Sequence, residues 1–117
     1  MSEIEEIDRD RFIENVRFDK QGLLPAIVQD VGDGAVLMLG YMNRRSLEIT
    51  LEKNMVTFWS RSRQTLWTKG ETSGNFLELQ EIYYDCDRDT VLIKAAARGP
   101  TCHTGKRSCF SWKMNRT

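Results

Sequence analysis

The chain has 117 residues, 40% of them hydrophobic and 29% charged, with 17 Lys plus Arg balancing 17 Asp plus Glu. That is enough for one compact domain and too little for two, and the composition excludes the disordered, fibrous and membrane classes. A net charge of zero provides no global field to recruit nucleic acid or an anionic membrane, so an anionic ligand must be held by a local cluster.

No apolar run approaches the ~20 residues that span a bilayer, and the N-terminus Met1-Ser2-Glu3-Ile4-Glu5-Glu6 is acidic where a signal or transit peptide would be basic. A cytoplasmic protein is expected. Three cysteines, an odd number clustered late in a chain without an export signal, argue for free thiols or metal ligands over a disulfide framework.

In chain order, residues 1–19 are charge-rich with Phe12, Ile13 and Val16 at helical spacing, which predicts an N-terminal amphipathic helical extension docked on the body. After Gly22 and Pro25, a strand over 26–30 feeds the turn Gly32-Asp33-Gly34, and a second strand over 35–42 completes a hairpin. Asn43 is a good N-cap, and Leu47 and Leu51 repeat at i, i+4 up to Asn54, which predicts a helix over about 44–53 ending in a left-handed cap.

Residues 55–60 are β-branched and aromatic and predict a strand, whereas 60–75 hold two glycines and many hydroxyls with little periodicity and predict a long loop. Strands follow over 76–84 and 91–97, with an acidic run at the turn or strand ends between them. Gly99-Pro100 ends the last of these, and the tail from Cys102 is loop with one more short strand expected around 109–112. The balance predicts a compact, β-dominated α+β domain over 1–117 with about two helices.

All three cysteines and the lone His103 fall within 85–110, together with Asp85, Asp87 and Asp89, which marks that segment as metal-binding. On an extended run the three aspartates share one face and Cys86 and Arg88 the other. Convergent carboxylates repel unless a cation sits among them, and hard oxygen donors suit Mg²⁺ or Ca²⁺. An EF-hand loop is rejected because Thr90 stands at its sixth position and Ala96 at its twelfth.

Soft thiolates prefer Zn²⁺, and Cys86, Cys102 and Cys109 would fill three of its four tetrahedral positions, a count that matches catalytic sites. Their spacing matches no standard structural zinc pattern, so the set could be assembled within one chain or across a dimer. His103 could be a fourth ligand, a general base or a structural hydrogen-bonder; its place between Cys102 and Thr104 favours a catalytic or supporting role.

Upstream, the 60–75 stretch holds Arg61, Arg63, Lys69, several hydroxyls including Ser73, and Gly70 and Gly74, a composition suited to phosphate. Trp59 and Trp67 could stack on a base. A zinc-dependent base deaminase is disfavoured, since neither H-x-E nor P-C-x-x-C is present. A structural-zinc module binding nucleic acid is disfavoured by the zero net charge and the incomplete ligand set.

Taken together, Leu24-Pro25-Ala26-Ile27-Val28-Gln29, Val36-Leu37-Met38-Leu39-Gly40-Tyr41-Met42-Asn43, Phe58-Trp59-Ser60-Arg61-Ser62-Arg63, the run from Leu66-Trp67-Thr68-Lys69-Gly70 through Glu71-Thr72-Ser73-Gly74-Asn75, Asp85-Cys86-Asp87 with Asp89, and Gly99-Pro100-Thr101-Cys102-His103-Thr104-Gly105 resemble the phosphoribosyl-AMP cyclohydrolase family of histidine biosynthesis. The resemblance covers about 22–110. It implies a zinc-dependent homodimer that hydrolyses the N1–C6 bond of the adenine ring of 1-(5-phosphoribosyl)-AMP, with Cys86, Cys102 and Cys109 as zinc thiolates shared across the dimer and Asp85, Asp87 and Asp89 at a Mg²⁺ site. Thr101 and Gly40 stand where many relatives carry alanine. A downstream pyrophosphohydrolase domain, fused in many bacterial relatives, is expected to be absent.

The chemistry then assigns roles: zinc lowers the pKa of bound water from 15.7 to about 7, His103 accepts or relays the proton, Mg²⁺ orients phosphate or ribose, and Arg61, Arg63 and Lys69 take phosphate. The expected partners are a small-molecule nucleotide and a second copy of the chain, with neither nucleic acid nor membrane.

Overall fold

In a computed structural model, residues 3–117 are described; Met1 and Ser2, the first residues of the expected helical extension, lie outside them. Helix α1 (Arg9–Asn15) starts at Asp8, whose carboxylate accepts the Arg11 N–H at 2.9 Å, and stops at Val16, where the backbone is already extended. Phe12, Ile13 and Val16, whose spacing predicts the helix, are all buried.

Strands β1 (Leu24–Asp30) and β2 (Val36–Met42) form the expected antiparallel hairpin. Helix α2 (Arg44–Lys53) coincides with its expected span: Asn43 caps it in a reciprocal capping box with Ser46, and Asn54 closes it at φ 57°. Then come β3 (Thr57–Ser60), β4 (Thr65–Thr68), β5 (Leu77–Tyr84) and β6 (Val91–Ala97). These two helices and six strands make an α+β architecture dominated by β-structure, as the patterning predicts.

Four strands form one mixed sheet in the order β2-β1-β6-β5, and β3 pairs with β4 in a second, two-stranded sheet. β1 runs parallel to β6, with Ala26 beside Val91 and Val28 beside Ile93. All four of these side chains are fully buried, which makes β1 and β6 the centre of the core. The order follows from burial: the strands with the most apolar inward faces take the inner positions, and β2 and β5 take the edges.

Two expectations are corrected. The 60–75 stretch is not one long loop, because 65–68 folds back as β4 across a tight turn in which Gln64 has φ 54°. Around 109–112 no strand forms; only the Cys109 N–H donates to the Leu37 carbonyl of the edge strand β2, at 2.8 Å, before the chain departs. The strand expected from residue 55 is also shorter, with Met55 making an isolated bridge to Glu78.

The small sheet is held to the body by buried hydroxyls. Thr50 of α2 donates to the Ser46 carbonyl at 2.8 Å and accepts the Thr57 N–H at 2.9 Å, and the hydroxyls of Thr57 and Thr68 meet at 2.9 Å. Val56 and Leu79 add backbone bonds to Leu77 and Asn54 at 2.9 and 2.8 Å. Among the described residues no helix is long and apolar enough to cross a membrane.

Candidate active site and metal centres

The acidic cluster sits on the turn joining β5 to β6, two strands that pair in antiparallel register up to Tyr84 and Val91. The carboxylates of Asp85, Asp87 and Asp89 each offer an oxygen within 4.8 Å of the others, and all three residues are exposed. Their convergence is not the strand alternation expected from the sequence. The chain bends at Cys86 and Asp87, Arg88 takes φ 65°, and the Arg88 and Asp89 N–H groups donate to the Asp85 carbonyl and carboxylate at 3.0 and 3.1 Å. Among the described residues none of the three is paired with a Lys or Arg. A hard cation fits this uncompensated oxygen set.

The thiols divide into two groups. Cys86 is exposed on the acidic turn, where its S–H donates to the Asp87 carboxylate at 3.5 Å. That bond, with the charges of Asp87 and Asp85, pushes its pKa up. Cys102 and Cys109 face each other on the loop that follows β6. Thr101 and Cys102 donate their N–H groups to the Arg107 and Lys106 carbonyls, both at 3.1 Å, which closes this loop on itself. Ser108 anchors it by donating to the Val36 carbonyl at 2.8 Å, and Arg107 pairs with Asp33 at 2.9 Å.

Within that loop the Thr104 hydroxyl donates to Cys102 Sγ at 3.1 Å. This bond, helped by the Thr104 N–H, by Cys109 and by the charge of Lys69, draws the Cys102 pKa down against its partial burial. Cys109 is pushed up, first by burial and then by Cys102, while Lys69 opposes the shift. A soft divalent ion fits a pair of thiols of which one has its pKa drawn down. The three sulfurs do not all lie within 4.8 Å of one another, a condition that only the aspartates meet among the described residues. His103 is exposed on the same loop and, among the described residues, makes no hydrogen bond or ion pair.

The basic stretch becomes the β3–β4 hairpin. Arg61 lies with its guanidinium 3.8 Å from the centroid of the Tyr41 ring, Arg63 is exposed in the turn, and Trp67 packs on Phe58 at 5.6 Å between centroids. Tyr41, Phe58, Trp59, Arg61 and Trp67 line an open groove of about 520 Å³. A larger concavity, about 820 Å³, lies between the N-terminal segment and β5, but Glu3, Glu5, Glu6 and Glu81 line it and would repel a phosphate. Ser73 is exposed in the turn after β4, its hydroxyl accepting the Asn75 N–H at 3.2 Å. Lys69 is apart from the arginines, 8% exposed, with its ammonium 5.8 Å from the Trp67 ring and within Coulombic reach of Cys102 and Cys109.

Sequence reasoning overlooked three residues here. Thr104 shares a turn with Cys102, a signal available in its i+2 spacing. Tyr41 gave none, since its partner Arg61 is distant in sequence. Thr101 is 1% exposed and its hydroxyl is the buried side-chain polar atom without a partner among the described residues, one position from Cys102.

Comparison with known proteins accords with this arrangement. Residues 38–111 match the family model described as phosphoribosyl-AMP cyclohydrolase, a span that holds the β3–β4 hairpin, the acidic turn and all three cysteines. The chain is 53% identical over 110 residues to the phosphoribosyl-AMP cyclohydrolase of Chlorobium limicola, covering 94% of this chain and 80% of that protein. It is 52% identical over 104 residues to that of Pelotomaculum thermopropionicum, covering 89% and 81%. It is also 61% identical over 89 residues to the histidine biosynthesis bifunctional protein HisIE of Photobacterium profundum, covering 76% of this chain and 43% of that one. The chain belongs to the phosphoribosyl-AMP cyclohydrolase family.

Proposed function

We propose that the protein is a cytoplasmic enzyme that opens the adenine ring of 1-(5-phosphoribosyl)-AMP by hydrolysis of the N1–C6 bond, as a step of histidine biosynthesis. The observation that carries this reading is the pairing of Cys102 with Cys109 on a loop closed by its own backbone and anchored to β2, inside the span that matches the family. Substitution at N1 leaves C6 electron-poor, so the protein's task is to hold the ring, position a nucleophile and move protons.

Cys102 and Cys109 would hold zinc, joined by Cys86, and an ion bound there would supply a water acidified to near-neutral pKa. Cys86 stands apart from the pair on the acidic turn, which supports a site completed by a second copy of the chain. The segment that follows Cys109 supports the same homodimer: Phe110, Trp112 and Met114 alternate along it and are 65%, 95% and 73% exposed, an apolar face beside the thiols.

Asp85, Asp87 and Asp89 would hold Mg²⁺, which suits a phosphorylated substrate. Arg61, stacked on Tyr41, and Arg63 take phosphate, Trp67 offers a ring for the base, and Ser73 adds a hydroxyl donor. His103, exposed, without a hydrogen-bond or ion-pair partner among the described residues and next to Cys102, accepts or relays the proton. Incubation with 1-(5-phosphoribosyl)-AMP should give the ultraviolet change of ring opening, abolished by a zinc chelator and restored by zinc. Turnover that survives chelation would overturn the zinc reading, and absence of turnover in zinc-loaded protein with Mg²⁺ would overturn the substrate.

A further inference from the structure

The groove between the N-terminal segment and β5 takes no part in the proposed chemistry, yet it has the shape of a seat for an extended chain. Its floor is apolar and aromatic: Ile7 and Ile82 pack on the core, and the Phe12 and Tyr84 rings stand 5.0 Å apart. Its walls carry Glu3, Glu5, Glu6 and Glu81, and among the described residues none of these pairs with a Lys or Arg. One side is an open sheet edge. β5 is the last strand of its sheet, and its outer side is covered only as far as Leu79, by bonds from the Val56 N–H to the Leu77 carbonyl and from the Leu79 N–H to the Asn54 carbonyl. From Gln80 to Tyr84, among the described residues, no backbone bond reaches that edge. An uncovered edge of this kind is a template for a further strand.

The chain carries a segment that matches. Residues 110–117 hold two cations, Lys113 and Arg116, and no Asp or Glu. Among the described residues neither cation makes an ion pair, and no backbone bond ties this tail to a strand or helix. In an extended conformation Phe110, Trp112 and Met114, all exposed, point to one side. The tail leaves from the far side of the sheet, because its last backbone anchor is Cys109 on β2, the edge opposite β5. A second copy closes that separation. In the shared zinc site proposed above, Cys109 meets the partner's Cys86, two residues beyond the Tyr84 that ends the groove, so Phe110 starts at its mouth.

We propose that this groove seats the C-terminal tail of a second copy of the chain. Residues 110–117 of one protomer lie extended along the open edge of β5 of the other, apolar side chains on the floor and the two cations among the glutamates. Two-fold symmetry makes the exchange reciprocal. The inference rests on the shared zinc site and adds the surface that holds the two chains together beside it.

For the test, isotope-light and isotope-heavy chains are unfolded, refolded together with zinc and treated with a carbodiimide, which joins an ammonium to a carboxylate in contact. Mass spectrometry should find Lys113 linked to a groove glutamate in pairs of mixed isotope. Sedimentation over a concentration series should show the Trp112→Ala dimer dissociating at roughly 10- to 100-fold higher concentration, the loss for a buried aromatic anchor. Trp112 is 95% exposed in the single chain, so the substitution leaves its fold intact. Glu5→Lys with Glu6→Lys should also weaken the dimer, and adding Trp112→Ala should cost less than the product of the two effects, because sites in one contact couple. A zinc-loaded dimer in which Lys113 links only within its own chain, or not at all, would overturn the inference and leave the shared zinc site standing. An unchanged Trp112→Ala dimer, or losses that multiply fully, would do the same. Mixed-isotope links in a protein whose zinc survives Cys86→Ser would overturn the shared site alone, and a zinc-loaded monomer would overturn both.

Discussion

The connection between α2 and the small sheet depends on one hydroxyl. Thr50 is fully buried, and its Oγ1 accepts the N–H of Thr57, itself 1% exposed, while donating to the Ser46 carbonyl. Thr50→Val keeps the shape and β-branching but removes both bonds, leaving the Thr57 N–H dry and unpaired. A buried donor left so costs about 1–3 kcal/mol, offset in part by an added methyl of ~0.8 kcal/mol. We expect a net loss of about 1–2 kcal/mol, which for a domain of this size lowers Tm by roughly 4–8 °C. Urea unfolding followed by circular dichroism, at matched protein concentration, should show a lower midpoint with unchanged slope. Amide exchange at Thr57 should speed up. An unchanged midpoint together with unchanged Thr57 protection would refute the reasoning, because the hydroxyl would then be replaceable by water or by local rearrangement.

The other predictions test the site and its scaffold. His103→Ala should keep its zinc and lose roughly 10²- to 10⁴-fold in kcat, the span of a general acid or base; an unchanged kcat would remove His103 from proton transfer. Asp87→Asn should weaken Mg²⁺ binding in a titration while leaving zinc content unchanged, whereas joint loss of both metals would merge the two centres into one. Gly40→Ala places a Cβ 2.6 Å from the Phe58 ring, which is 1% exposed, and should destabilise by about 1–3 kcal/mol; a neutral result would mean that the ring shifts freely into the groove. Asp33 has its pKa lowered from 3.8 to about 2, first by its bond from Arg107 and then by the Ala35 N–H. A depressed carboxyl pKa stabilises the fold above the unfolded value and is lost as pH falls through the folded one, so acid titration should show this contribution disappearing between about pH 4 and 2. Asp33→Asn should flatten that window.

The elements governed by local rules were legible in the chain. Asn43 and Asn54 bracket α2 because capping and left-handed closure are properties of those residues and their immediate neighbours. The patterning of β5 and β6 likewise announces strands of nearly the right length, whereas β1 begins at Leu24, two residues before the expected start at 26. β4 escaped notice because Thr65-Leu66-Trp67-Thr68 is short and its partner β3 lies across a turn closed by Gln64, a residue that carries no strong turn signal. The expected strand at 109–112 has the right residues, but among the described residues only Cys109 of that stretch finds a backbone partner.

The site divides along the same line. Sequence alone supplied the candidate ligands, because ligand preference is a property of the donor atoms: aspartates suit a hard ion and cysteines a soft one, and all of them fall within 85–110. Tertiary structure decided how they are grouped. The aspartates converge through a tight turn with Arg88 at positive φ, and Cys102 and Cys109 pair away from Cys86. None of these groupings follows from spacing, because each depends on backbone bonds between segments that only the closed sheet brings together.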